Sequence, residues 1–231
     1  MITVIIPTLN EAGNLPRSIA AVRANSPHAP NFELIVVDGG STDRTCELAN
    51  KLGASVLESA VSQRATQMNL GARRATGEIF LFLHADTLLP PHAFSRIEHA
   101  LTQPHIGSGG FARRFDSPSQ FLRLTCLLAE FRNRTIGWFL GDQAMFVRRE
   151  LFFQLGGFRP LDQFEDLDFS RRLAATSKLV TLRPPVISSA RRFQKEGPFA
   201  RTLSDLRLTI AYAKRSGAVS HLHRVPERSA R

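Results

Sequence analysis

The chain has 231 residues, 43% hydrophobic and 22% charged, a globular balance that excludes a disordered or collagen-like protein. No apolar run approaches the roughly 20 residues of a membrane span, and the N-terminus enters a strand pattern at once without a signal-like leader, so a cytoplasmic location is expected. Cys46 and Cys126 stand far apart and argue against a disulfide scaffold or a zinc site, while the formal charge of +10 is carried by arginine, since Lys occurs only at 51, 178, 195 and 214.

In chain order, Thr3 to Ile6 and Leu34 to Val37 are apolar runs without alternation, the pattern of parallel strands covered on both faces. Leu15, Ile19 and Val22 share a helical stripe between them and complete a βαβ unit. Thr45, Leu48, Ala49 and Leu52 mark a second helix, Ser55 to Glu58 a short strand, and Ala65, Met68, Ala72 and Ala75 a third helix stopped by Gly77. Ile79 to Leu83 is the most apolar strand. Pro90 and Pro91 open a helix through His92 to Gln103, and Gly107 to Phe115 is a glycine-rich strand. Ser119 to Arg134 reads as a surface-packing helix, because Arg123, Glu130, Arg132 and Arg134 break its apolar run. Gln143 to Val147 predicts a strand, Leu151 to Leu155 a short helix, and Asp166 to Ala175 another helix. Leu203, Leu206, Ile210 and Ala213 predict a final amphipathic helix, and His221 to Arg231 reads as a frayed tail.

This alternation predicts a single α/β domain over residues 1–195, with a mainly parallel sheet, helices on both faces and right-handed crossovers, followed by a basic segment over 196–231. From Arg191 onward ten basic residues face three acidic ones, which suits either a solvated tail or contact with anionic lipid or a phosphorylated acceptor.

Ligands of open α/β sheets bind outside the carboxyl ends of the strands. Those ends are polar here: Pro7-Thr8-Leu9-Asn10-Glu11, then Asp38-Gly39-Gly40-Ser41-Thr42-Asp43, then His84-Ala85-Asp86. The first turn has no G-x-G-x-x-G, which argues against a dinucleotide fold. Arg64 lies near the start of the third helix, where a diphosphate is favoured. Gly141-Asp142-Gln143 precedes one strand, and Phe164-Glu165-Asp166-Leu167-Asp168 opens a later helix.

The two strand-end segments, with the later acidic signal, resemble family 2 glycosyltransferases of the GT-A fold over residues 1–195. Within that family the chain looks closest to a compact bacterial subgroup associated with arsenosugar biosynthesis, whose catalytic domain ends in a basic-aromatic segment similar to Arg191-Arg192-Phe193-Gln194-Lys195. The resemblance implies transfer of a sugar from a nucleotide-diphosphate donor of UDP type to an acceptor hydroxyl, with inversion and with Mg²⁺ or Mn²⁺. It implies nucleotide-sugar contacts at Thr8, Asn10, Glu11, Asp38, Arg64, Asn69 and His84, a metal ligand at Asp86, and the catalytic base at Asp166.

His84 replaces the first Asp of the family's metal motif, and alternation along a strand would put residues 84 and 86 on one face. His84 is open between a ribose or metal contact and a packed histidine, and a metal-independent variant stays open with it. Asp38 and Asp43 also suit turn and helix capping. Glu165 and Asp168 are expected to raise the pKa of Asp166 by like-charge repulsion. Asp142, Gln143, Glu165 and Arg192 are assigned to the acceptor side, Arg192 on a flexible basic loop. The acceptor is either a small molecule or lipid-linked, and contact with the inner membrane face goes with the second. The rival reading is a non-catalytic GT-A-like module that binds anionic lipid or nucleic acid through its basic tail. Nucleic acid is not expected, since RNA binding needs stacking platforms and the tail offers Phe193, Phe199 and Tyr212 alone.

Overall fold

A computed structural model describes residues 1–26 and 32–215, the side chains of 213–215 excepted; the tail expected at 221–231 lies outside the described residues. The chain divides after Ser189 into two compact units, a boundary ahead of the expected one at residue 195. The first unit contains β1 (Ile2–Thr8), α1 (Leu15–Arg23), β2 (Phe32–Asp38), α2 (Thr45–Lys51), β3 (Ser55–Glu58), α3 (Arg64–Arg74), β4 (Ile79–Phe82) and β5 (Thr87–Leu88). It continues with α4 (Ala93–Leu101), β6 (Ile106–Phe115), α5 (Gln120–Ile136), a single 3₁₀ turn (Gly141–Gln143), β7 (Met145–Arg148), α6 (Arg149–Gln154), α7 (Glu165–Ala174) and β8 (Lys178–Ser188). The second unit holds α8 (Arg191–Glu196), which packs with α9 (Pro198–Arg215).

Among the described residues eight strands form one sheet in the order β3-β2-β1-β4-β7-β6-β8-β5. The half from β3 to β4 is parallel, β7 runs antiparallel to both β4 and β6, and β8 lies parallel to β6. Helices cover both faces, as the unbroken apolar runs require. Val4 and Ile6 pack with Leu15, Ile19 and Val22 of α1, while Ile5 packs with Val37 and with Ala65, Met68 and Ala72 of α3. The second face is closed by Phe80, Phe82, Phe152, Phe158 and Phe169, whose rings meet edge-on or tilted. The register places Thr8 opposite Asp38 and Asp38 opposite Glu58, so β1, β2 and β3 end level along one rim.

Four expectations change. His84 and Asp86 follow β4 instead of lying on it: the Thr87 N–H closes a turn onto the His84 carbonyl at 3.0 Å, so strand alternation does not decide where they point. The segment Arg191–Glu196, expected as a flexible loop, is the helix α8. Strand β8 had no legible signal, because Arg183-Pro184-Pro185 interrupts it. The sheet absorbs the prolines with a register shift between Phe111 and Arg113, where Leu182 and Val186 are the successive partners and residues 183–185 are passed over. Finally, α5 lies at the surface, but its outer side is not set by its charges alone, since Arg123 and Arg134 are exposed there beside an apolar stripe. It buries Leu122, Cys126 and Ala129, while Leu124, Leu127, Leu128 and Phe131 are exposed.

Candidate active site

The first wall of the site is the pair of loops that leave β1 and β2, and hydrogen bonds lace one to the other. Asn10 Oδ1 accepts from the Thr42 N–H at 2.9 Å, the Asn10 N–H donates to Ser41 Oγ at 2.8 Å, and the Glu11 N–H donates to Thr45 Oγ1 at 2.9 Å. Asn10 adopts φ +54°, a left-handed conformation that Asn tolerates better than most residues. Asp43 ties the loops together, accepting from the N–H groups of Ala12 and Thr45 at 3.1 and 3.0 Å, and the Thr45 hydroxyl holds its pKa low. That is the capping role open to it from the sequence.

Asp38 is buried and accepts from the Gly40 and Ser41 N–H groups at 2.9 and 2.6 Å, and from the hydroxyls of Thr8 and Ser41. Burial by itself would raise its pKa, but these donors outweigh burial and hold the carboxyl below its ordinary value. Four donors fill the lone-pair sites of a carboxylate, so Asp38 shapes the loop that a nucleoside would meet. Gln67, which the sequence did not single out, is equally buried. Its Nε2 donates to the Thr8 and Val37 carbonyls at 2.8 Å each, which pins the level ends of β1 and β2. Asn69, expected at the nucleotide sugar, instead clamps the backbone of Phe158. Its amide nitrogen donates to the carbonyl at 2.7 Å, and its oxygen accepts from the N–H at 3.0 Å.

The second wall is the start of α7. Phe164, just before it, sits at φ +67°, an unfavourable conformation for a bulky residue, and Glu165 and Asp166 are the first two residues of the helix. Glu165 is buried and ion-paired with Arg64 at 2.9 Å, so a helix-start arginine and the acidic motif share one place although 101 residues separate them. Asp166 Oδ1 accepts from the Leu167 N–H at 2.6 Å, and Oδ2 accepts from the Gly141 N–H. Burial, reinforced by the Glu165 charge, pushes the Asp166 carboxyl up to about 6. Asp168, expected to add to that repulsion, is engaged by Arg172 at 2.8 Å and Arg159 at 3.3 Å.

The turn after β4 meets this second wall at Gly141. A Cβ placed there would collide with His84 Nε2 and stand 3.0 Å from Asp166 Oδ2. The glycine therefore lets the histidine and the carboxylate approach over its Cα. Two residues on, Asp86 lines a cavity of about 50 Å³ together with Asn14, Arg17, Asp116 and Ser188. A wider cavity of about 370 Å³ opens beside Arg64 and Glu165 and is also lined by Ser62, Gln63 and Asp162.

The expected acceptor side divides into distinct roles. Asp142 pairs with Arg113, which is nearly buried and lies over the Phe115 ring at 4.5 Å. Gln143 is completely buried, its amide donating to the Phe111 carbonyl at 3.2 Å and accepting from the Leu140 N–H at 3.1 Å, so it braces the loop from beneath and does not face an acceptor. Arg132 donates to the Trp138 carbonyl at 3.1 Å, and burial, with Arg113 nearby, lowers its pKa to about 10. Arg113 was missed in the sequence, where its signal was a charge inside the apolar strand Ile106–Phe115, and Arg132 was read only as one of the charges of α5. Arg192 belongs to the second unit, exposed on α8.

Residues 3–156 match the family model described as glycosyl transferase family 2. The chain belongs to that family. This glycosyltransferase is 30% identical over 222 residues to the PGL/p-HBAD biosynthesis glycosyltransferase of Mycobacterium tuberculosis, covering 89% of this chain and 81% of that protein. It is 33% identical over 106 residues to the dolichol-phosphate mannosyltransferase of Pyrococcus furiosus, covering 43% of this chain and 30% of that one. Among solved structures it resembles the mannosyltransferase PcManGT from Pyrobaculum calidifontis in complex with GDP-Man and Mn²⁺, with TM-score 0.64 and 27% identity, covering 81% of this chain and 56% of that chain. The TarS fragment of S. aureus in complex with UDP gives TM-score 0.68 at 17% identity, covering 81% of this glycosyltransferase and 60% of that chain, a likeness of fold. The chain thus spans somewhat over half the length of these solved relatives, and its fold is GT-A. No helix of the described residues is long and apolar enough to cross a membrane.

Proposed function

We propose that this glycosyltransferase moves a sugar from a nucleotide-diphosphate donor to an acceptor hydroxyl with inversion at the anomeric carbon, Asp166 acting as base. The observation that carries the proposal is the approach of His84 and Asp166 over Gly141, which brings the turn bearing Asp86 to the acidic start of α7. The donor nucleoside rests against the loops of Thr8, Asn10 and Glu11 that Asp38 shapes, and Arg64 flanks the wider cavity from the start of α3. Asp166 takes the acceptor proton as the oxygen attacks the anomeric carbon from the side opposite the departing diphosphate. A carboxyl lifted to about 6 is still ionised at neutral pH and is a stronger base than an ordinary one.

Family membership implies a divalent metal, and the donor set fits a hard one. Asp86 and Asp116 line one cavity with carboxylate oxygens, and among the described residues no three His, Cys, Asp or Glu side chains form a self-sufficient cage. Mg²⁺ and Mn²⁺ take few protein carboxylates and complete their shells with water and phosphate oxygens. Asp86 would hold the ion, which when bound offsets charge on the diphosphate. PcManGT, solved with Mn²⁺ and GDP-Man, supports both the ion and a guanosine donor beside the uridine type that the motif resemblance implies.

Transfer assays with UDP- and GDP-sugars, read by released nucleotide, test this. Asp166→Asn is expected to lower turnover by about 10²- to 10⁴-fold, and Asp86→Ala to remove stimulation by Mn²⁺. Wild-type turnover in Asp166→Asn would refute the base. The likeness of Arg191–Lys195 supports kinship with the subgroup associated with arsenosugar biosynthesis, as part of this proposal. Parallel assays with small-molecule acceptors and with a polyprenyl phosphate, the acceptor class named in the Pyrococcus relative, decide the acceptor.

A further inference from the structure

Helix α5 is apolar on two opposite sides. Leu122, Cys126 and Ala129 point into the unit, while Leu124, Leu127, Leu128 and Phe131 recur at helical spacing on the outer side and are 53%, 60%, 61% and 69% exposed. One exposed leucine needs no explanation, but four that share a stripe do. A helix at a water-facing surface turns its polar side outward, and one that is apolar all round is covered by something.

The charges beside the stripe say what covers it. Arg123 and Arg134 border it, both exposed, and the acid of the helix, Glu130, is buried with its carboxylate held by Arg134 and Arg183 at 2.7 and 2.6 Å. The rim of the stripe is therefore cationic, on a chain of formal charge +10. A second copy would oppose like charges across such a contact, whereas an anionic bilayer satisfies the leucines and the arginines together.

We propose that α5 is a membrane-interface helix: Leu124, Leu127, Leu128 and Phe131 enter the boundary between headgroups and acyl chains of an anionic membrane, with Arg123 and Arg134 on lipid phosphates. The same helix carries Arg132, whose guanidinium donates to the Trp138 carbonyl and to Gln143 Oε1 and so braces the Trp138–Gln143 loop, with Asn133 Oδ1 accepting from it. Docking would thus hold the acceptor side of the crevice close to the lipid surface. That last consequence rests on the proposed function; the docking does not, and it involves a different segment from the basic C-terminal tail.

The full chain is tested by co-sedimentation with phosphatidylcholine vesicles, either pure or containing about a third phosphatidylglycerol, without donor. Binding is expected only with the anionic lipid. Leu127→Glu combined with Phe131→Glu should weaken it by about tenfold or more, with the far-UV circular dichroism unchanged because both positions are exposed. Arg123→Gln should weaken it less and flatten its salt dependence. The proposal is overturned if the double variant binds like wild type, which would assign binding to the tail, or if pure phosphatidylcholine serves equally well. It is also overturned if wild type ignores both vesicles and sediments as a dimer that the double variant dissolves.

Discussion

The raised pKa of Asp166 makes pH the most informative perturbation. Its folded-state value of about 6, against an ordinary 3.8, means that the native fold favours the protonated carboxyl. This reverses the usual carboxylate case. The stabilising contribution of the protonated form is complete below pH 3.8 and is lost as pH rises through about 6. At 1.36 kcal/mol per unit, ionising Asp166 costs the fold about 3 kcal/mol by neutral pH. Asp38, Asp43 and Glu47, whose pKa values are lowered, act in the opposite direction at lower pH, so a subtraction is needed. Urea unfolding of wild type and Asp166→Asn from pH 4 to pH 7 supplies it. The asparagine cannot ionise, and the stability difference, wild type minus variant, should fall by about 2 kcal/mol across that range, the remainder of the full cost lying below pH 4. In wild type, kcat/KM should drop on the acid side with an apparent pKa near 6. A difference that stays flat with pH, or an acid limb at the ordinary carboxylate value, would refute both the burial argument and the assignment of the base.

Gly141→Ala puts a methyl group between His84 and Asp166, so turnover should fall by about 10²-fold through misplacement, with a Tm loss of a few degrees by calorimetry. Full activity in a folded Gly141→Ala protein would mean that the two side chains need not approach there. Gly109→Ala meets backbone: its methyl group would collide with the Val180 carbonyl and stand 2.8 Å from Phe146 Cζ, so β6 and β8 must separate. The expected cost is about 3 kcal/mol by urea unfolding, and a neutral result would contradict the tight β6–β8 pairing.

The strand-end motifs were legible because their physics is local. An unbroken β-branched run needs cover on both faces and so must lie in a parallel sheet, and polar residues at its exit mark the ligand rim. Asp166 and the family came from the resemblance of the motifs, while Thr8, Asp38 and Asp86 could be listed from that rule. What each group does could not. Asn69 and Gln143 looked like ligand contacts, but an amide is assigned by its donors and acceptors, and these come from Phe158 and Phe111 across the fold; Asp38 takes three of its four donors from its own turn and the fourth from Thr8. Strand β8 was hidden because a proline pair erases a strand pattern while a bulge accommodates it. The outer face of α5 was read as ordinary because a linear sequence does not say which of two apolar stripes the core takes.

Residue order by itself determined the βαβ alternation and the polar strand ends, which follow from periodicity, and carried the short motifs whose resemblance pointed to the enzyme family. Only the tertiary structure decided that His84 and Asp166 both lie against Gly141, that Glu165 pairs with Arg64, and that burial lifts the Asp166 carboxyl. Those depend on distances between segments many residues apart, which chain packing sets and local sequence does not encode.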